Sequence, residues 1–162
     1  MYTLYGLIGR RGFKLEKDGL TLFQTAHKFG MFPTSFTTIA DVNFKISPAN
    51  LLGDKWAITK DNEIIGELSF SNYRYSLITL SCTDGSVDKF RLDEEGYSNI
   101  YTLTGQDGPM MKFKASLNPL RVDDKYNVEL VSSAYTGDIL YELIFYAGEI
   151  LFRKIKPGNS PS

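Results

Sequence analysis

One histidine, His27, is the chain's single candidate for a general base near neutral pH. Catalysis through it would need an orienting carboxylate and a nucleophile within hydrogen-bond reach. Neither stands nearby in sequence, and no nucleophile-elbow pattern is present, although the members of a Ser-His-Asp set need not be adjacent. The segment 26–35, with Gly30 and Pro33, reads as a loop, so His27 is expected to be an exposed or lightly packed loop residue. The single cysteine, Cys82, excludes an intramolecular disulfide and a cysteine-based zinc site. Asp84 with Asp88, and Asp93-Glu94-Glu95, carry the oxygen ligands that calcium prefers, but their spacing is not that of an EF-hand, and solvated turns account for them. The glycine pairs Gly6/Gly9 and Gly105/Gly108 lack the strand-loop-helix setting and the lysine of a phosphate loop. No cofactor and no enzyme activity are expected from these residues.

A second kind of chemistry is written in Arg10, Arg11, Lys14 and Lys17, which lie close to Tyr5 and Phe13. Guanidinium groups hold phosphates bidentately, and aromatic rings insert at a membrane interface, so this cluster is the candidate site for an anionic lipid headgroup. The competing reading is a solvated hairpin end, partly neutralised by Glu16 and Asp18. The formal net charge of −1 argues against a nucleic-acid binder dominated by phosphate contacts. Trp56 is expected as a core or barrel-end anchor. The opening Met-Tyr-Thr-Leu-Tyr lacks the basic region and long apolar core of a signal peptide, which predicts a cytoplasmic protein, peripheral to the membrane if it binds lipid.

The element that must position these residues is the stretch 138–156, apolar or aromatic except for Gly148 and a few charges. On a helix over about 139–155, Glu142, Tyr146, Glu149 and Arg153 fall at i, i+4, i+7 and i+11, forming one narrow polar stripe. Asp138 stands where an N-cap is wanted, and Arg153, Lys154 and Lys156 lie where the dipole favours cations, before Pro157. A buried hairpin of 139–146 and 149–155, turning at Ala147-Gly148, is the alternative that the β-branched and aromatic residues allow. Within this stretch the longest run free of charge and glycine, 143–147, is far short of the roughly 20 residues of a membrane span.

The rest of the chain, 43% hydrophobic and 14% aromatic overall, alternates short apolar runs with turn residues. Candidate strands are 2–8, 13–17, 20–25, 36–47, 55–60, 63–70, 75–82, 87–92, 97–104, 110–117 and 126–132. Asp18-Gly19 and Asp61-Asn62 are strong hairpin signals. Ile64, Gly66, Leu68 and Phe70 are expected on one face, and Met111, Phe113, Ala115 and Leu117 alternate with polar residues. The expectation is a mainly β protein: an antiparallel β-barrel of about 11–12 strands around a hydrophobic C-terminal helix, one domain over 1–156, with a flexible tail at 157–162. If the hairpin alternative holds instead, the barrel is left open and a small apolar ligand could lie inside it.

In this layout, and in Phe44-Lys45-Ile46-Ser47 leading to Trp56-Ala57-Ile58-Thr59-Lys60-Asp61-Asn62-Glu63-Ile64-Ile65-Gly66-Glu67-Leu68 with the segment 138–155 behind it, the chain resembles the tubby C-terminal-like superfamily. That superfamily includes the LURP-one-related proteins and the phospholipid scramblases. The resemblance implies a twelve-stranded antiparallel barrel around a central hydrophobic helix. The resemblance implies little chemistry; the barrel-plus-helix reading together with Arg10, Arg11 and Lys14 leads to the expectation of a non-enzymatic domain that binds a membrane lipid headgroup or a protein partner. Tubby domains bind phosphoinositides through a basic pocket, and scramblases carry palmitoylated cysteines; Cys82, inside a predicted strand, does not fit the latter role.

Overall fold

A computed structural model of the chain describes residues 1–7, 12–28, 34–70, 75–96, 98–116 and 125–154. They form thirteen strands in one antiparallel sheet, nearly closed into a barrel, and one helix. The strands are β1 (Tyr2–Gly6), β2 (Phe13–Lys17), β3 (Leu20–Gln24), β4 (Ala26–Lys28), β5 (Thr34–Ile39), β6 (Val42–Pro48), β7 (Lys55–Lys60), β8 (Glu63–Phe70), β9 (Tyr75–Ser81), β10 (Val87–Glu94), β11 (Ile100–Gly105), β12 (Gly108–Ala115) and β13 (Lys125–Leu130). The helix α1 spans Asp138–Lys154. The barrel and its C-terminal helix are thus as expected, and the hairpin alternative is not adopted.

The strand count differs from the expectation at two places. The region 36–47, read as one strand, is the hairpin β5-β6, reversed at Ala40 and Asp41 with φ of 50° and 64°. Neither residue is a glycine, so the turn had no strong signal. Within 26–35, read as a loop, Ala26–Lys28 pairs with β5 as β4. Phase also differs in β8, where a bulge against Ile58 and Thr59 shifts the register. Ile64 therefore turns outward at 71% exposure while Leu68 is fully buried.

Barrel closure depends on one ribbon. β3 pairs with β2, and after Thr25 the chain continues as β4, which pairs with β5. Thr25 remains tied to β2: its amide donates to the Phe13 carbonyl at 2.8 Å, and its hydroxyl accepts from the Phe13 amide at 2.8 Å. Between β3 and the second half of β5, the Thr37 hydroxyl donates to the Gln24 carbonyl at 2.9 Å.

The helix fills the interior. Leu143, Ile144, Phe145, Tyr146, Ala147, Ile150 and Leu151 are all buried, packed against inward-facing residues such as Leu4, Leu15, Phe44, Ile58, Leu68 and Phe113. Burying each large side chain contributes about 1.5–3 kcal/mol, which explains why an almost wholly apolar helix seeks this position. Its start lies near β1, where Tyr141 meets Tyr2 edge-on at 6.2 Å. Its finish lies at the opposite end, where Phe152 stacks on Phe13 at 4.8 Å. Asp138 is not the N-cap: the Gly137 carbonyl accepts from the Tyr141 amide at 3.3 Å, placing Asp138 one position inside, where its charge complements the helix dipole.

Gly148 is required by contact. A Cβ there would lie 2.6 Å from Phe13 Cε2 and 2.7 Å from Cζ. Gly148→Ala is therefore expected to destabilise by about 1–3 kcal/mol through overpacking, although alanine in place of glycine favours an isolated helix by about 1 kcal/mol. Chemical denaturation reads this as a lower midpoint with an unchanged slope; an unchanged or higher midpoint contradicts the close packing.

Candidate functional site

The polar stripe predicted on α1 exists, but it faces the wall and is covered by it. Glu142 meets Lys60 of β7 at 3.2 Å. Tyr146 is fully buried beside Phe44, and burial with the nearby Glu142 charge pushes its hydroxyl far above the usual tyrosine range. Glu149 and Arg153, one turn apart, pair through Arg153 Nε and Glu149 Oε2 at 2.9 Å, with the Glu149 side chain 0% exposed. A charged pair so deep in a barrel is costly unless its remaining groups find partners.

Those partners come from the strands that close the barrel. Arg153 Nη2 donates to the Ser35 hydroxyl at 3.1 Å, and its guanidinium lies 3.8 Å above the Trp56 ring. The other carboxylate oxygen, Glu149 Oε1, faces His27 Nε2 at 3.5 Å. At that length the contact is a close polar approach rather than a closed hydrogen bond. His27 and Ser35 are register partners across β4 and β5, so the pairing that seals the barrel also delivers both to the helix. Burial pushes the Glu149 carboxyl up, but the His27 ring, the Arg153 charge and the Ser35 hydroxyl outweigh it and hold the group below the usual glutamate range.

His27 is therefore not an exposed loop residue: it belongs to β4, its side chain is 13% exposed, and it faces a buried carboxylate. One signal was available in the sequence, since two charges on an otherwise apolar helix need buried partners and the chain has one histidine. The arrangement places a carboxylate and a hydroxyl beside His27; the Ser35 side chain is fully buried and accepts the Arg153 hydrogen bond.

The network props one barrel end. Trp56, expected as a barrel-end anchor, is buried under Arg153 and donates from Nε1 to the Gly53 carbonyl at 3.3 Å. It thus ties α1 to the connection 49–54 between β6 and β7. Of the four candidate headgroup residues, one lies at the same end, one at the opposite end and two outside the described residues. Arg10 and Arg11 fall outside them. Lys14 pairs with Glu16 and, with Lys125, flanks the outward Tyr5 ring at 5.6 and 5.3 Å. Lys17 lies over Tyr2 at 5.1 Å, at the opposite end, so the structure does not place it beside Lys14 and Lys125. The acidic turns are engaged locally: Asp84 accepts from the Ser86 amide, Asp88 from Cys82 at 3.3 Å, Asp93 from Arg91, and Glu95 from Thr102 with Lys112 at 3.1 Å. Among the described residues no group of three or more His, Cys, Asp or Glu side chains is placed to hold a metal, and no helix is long and apolar enough to cross a membrane.

The hairpin turns carrying Asp18, Asp41, Asp61, Asp84 and Asp107 all lie at the end where the helix starts. Lys14, Lys28, Lys55 and Lys125 lie on strand ends where the helix finishes, together with Asp54, Glu94 and Glu95, while Lys17 and Lys60 end strands at the aspartate end.

Glu149→Gln replaces the buried carboxylate that accepts from Arg153 Nε with a neutral amide and is expected to destabilise by about 3 kcal/mol at neutral pH. A carboxyl whose folded pKa is lowered contributes stability that is fully present above its unfolded value, about 4.3, and is lost as pH falls through the folded value. Wild type should therefore lose stability more steeply on the acid side than Glu149→Gln in denaturant titrations across that range; parallel slopes contradict the assignment.

Set beside known proteins, the chain matches no family model, no curated protein and no solved structure.

Proposed function

We propose that this chain is a non-enzymatic tubby-like domain that docks end-on, through the barrel end where the helix finishes, onto an anionic phospholipid surface at the cytoplasmic face of a membrane. The segregation of charge along the barrel axis supports this reading. Asp18, Asp41, Asp61, Asp84 and Asp107 occupy the turns at one end, against Lys17 and Lys60, and Lys14, Lys28, Lys55 and Lys125 stand at the other, against Asp54, Glu94 and Glu95. Such a distribution orients a near-neutral protein in the field of an anionic leaflet, although its formal net charge is only −1. Glu95, an acid at the docking end, is taken up by Lys112 and Thr102. Tyr5, between Lys14 and Lys125, adds an aromatic ring of the kind that sits well at headgroup level. The layout of barrel and central helix is the one that the tubby-like resemblance implies. An apolar ligand inside the barrel, by contrast, presupposed a hairpin at 139–155, and the helix now fills that space.

Co-sedimentation with phosphatidylcholine vesicles, with and without phosphatidylserine, tests the proposal. Wild type should bind the anionic vesicles alone and lose affinity as salt rises. Lys14→Ala/Lys125→Ala should weaken binding by about fivefold per lysine, and Arg10→Ala/Arg11→Ala should weaken it further. Asp41→Asn/Asp61→Asn, at the far end, should not weaken it. Equal binding of wild type to both vesicle types, or to neither, contradicts the proposal.

A further inference from the structure

The connection 49–54, at the end proposed to dock, carries two adjacent leucines in positions where turns ordinarily place polar residues. Leu51 is 89% and Leu52 84% exposed, the highest values of any large apolar side chain described. Single exposed apolar residues are common and need no explanation. Two neighbours, almost wholly in water at the tip of a tightly bonded turn, are different, because the turn has no freedom to fold them inward.

That rigidity is visible bond by bond. The Ala49 amide donates to the Lys55 carbonyl at 2.9 Å, closing the base of the turn. Asn50 Nδ2 donates to Asp54 Oδ1 at 2.5 Å, and Asn50 Oδ1 accepts from the Gly53 amide at 3.1 Å. Gly53 has φ of +73°, a conformation that a side chain would strain. The Phe70 amide donates to the Asp54 carbonyl at 2.8 Å, anchoring the turn to β8. Trp56 then joins the Gly53 carbonyl to Arg153, and so to the buried pair on α1.

The turn stands next to cations. Lys55 follows it directly and is exposed, as is Lys28 at the end of β4; Asp54, the one acid of the turn, accepts from Asn50 and keeps its charge. The outward Phe36 ring lies under Lys28 at 5.2 Å. Exposed apolar side chains beside exposed lysines match the layered chemistry of an anionic bilayer surface, where acyl chains lie beneath charged headgroups. The other exposed apolar group, with Leu20, Val131 and Ile139, lies at the opposite end, where Lys17 and Lys60 are outnumbered by the aspartates of five turns and the same match is weaker.

We infer that Leu51 and Leu52 form a preformed wedge that enters the acyl boundary of an anionic membrane while Lys28 and Lys55 meet the headgroups. This rests on the docking reading above and adds the inserting residues to it. The direct test places a cysteine at Leu52 in a Cys82→Ser background and labels it with an environment-sensitive dye. On phosphatidylcholine–phosphatidylserine vesicles the emission should shift to the blue and be quenched by nitroxide-labelled acyl chains. A dye at Leu20→Cys should show neither effect. In the unlabelled protein, Leu51→Ser/Leu52→Ser should bind these vesicles about tenfold or more weakly than wild type, with an unaltered thermal melt and an unaltered salt dependence. If wild type binds the vesicles and the double serine variant binds equally, the wedge is overturned and electrostatic docking stands. If wild type binds no vesicle, both fall. If light scattering shows a wild-type dimer that the serine variant abolishes, and the dye is not quenched by lipid, the leucines cover a second copy of the chain and the wedge is likewise overturned.

Discussion

A helix that is apolar on nearly every side can exist in water only if something covers all of it, and that requirement organises this protein. α1 presents Leu143, Ile144, Phe145, Ile150 and Leu151 in several directions at once, so packing against one face of a flat sheet would leave part of it wet. A thirteen-stranded sheet curled nearly to closure meets the demand. Such a sheet alone would enclose more space than its own side chains fill, so barrel and helix each supply what the other lacks. The Phe13 ring against Gly148 shows how closely the two surfaces fit.

The same helix carries charge into the interior, and the consequences run outward from there. Glu149 and Arg153 pair with each other, then use His27, Ser35 and Trp56 from β4, β5 and β7. Two of these strands complete the barrel, and the third holds the turn that displays Leu51 and Leu52. A buried ion pair adds little stability by itself. Here it specifies which strands must surround the last turn of the helix, and it links the core to the surface at that end.

Much of this layout was legible in the residues. The helix was readable because Glu142, Tyr146, Glu149 and Arg153 keep a helical period that a hairpin would have scattered over both faces. The hairpins at Asp18-Gly19 and Asp61-Asn62 were readable because those pairs accept positive φ, as both adopt here. β4 was hidden because it is three residues long and its pairing with β5 spans a segment that carries Gly30 and Pro33. The Ala40-Asp41 turn was hidden because alanine seldom takes φ of 50°. His27 was misplaced for the same reason as β4, since a histidine's environment is decided by a partner more than a hundred residues away. The rigidity of the Leu51-Leu52 turn was equally out of reach, because it depends on hydrogen bonds to Lys55, Phe70 and Trp56 that only the folded barrel brings together.

If the helix is the pillar on which both the barrel and the end where it finishes are built, it cannot open on its own. Native-state hydrogen exchange of the α1 amides tests this most directly. Amides from Ile144 to Leu151 should exchange only through global unfolding, with the same free energy and denaturant dependence as buried strand amides at Ile58 and Leu68. Exchange of the helix at distinctly lower free energy, while β7 and β8 remain protected, would show a barrel that stands without its helix and would contradict the account.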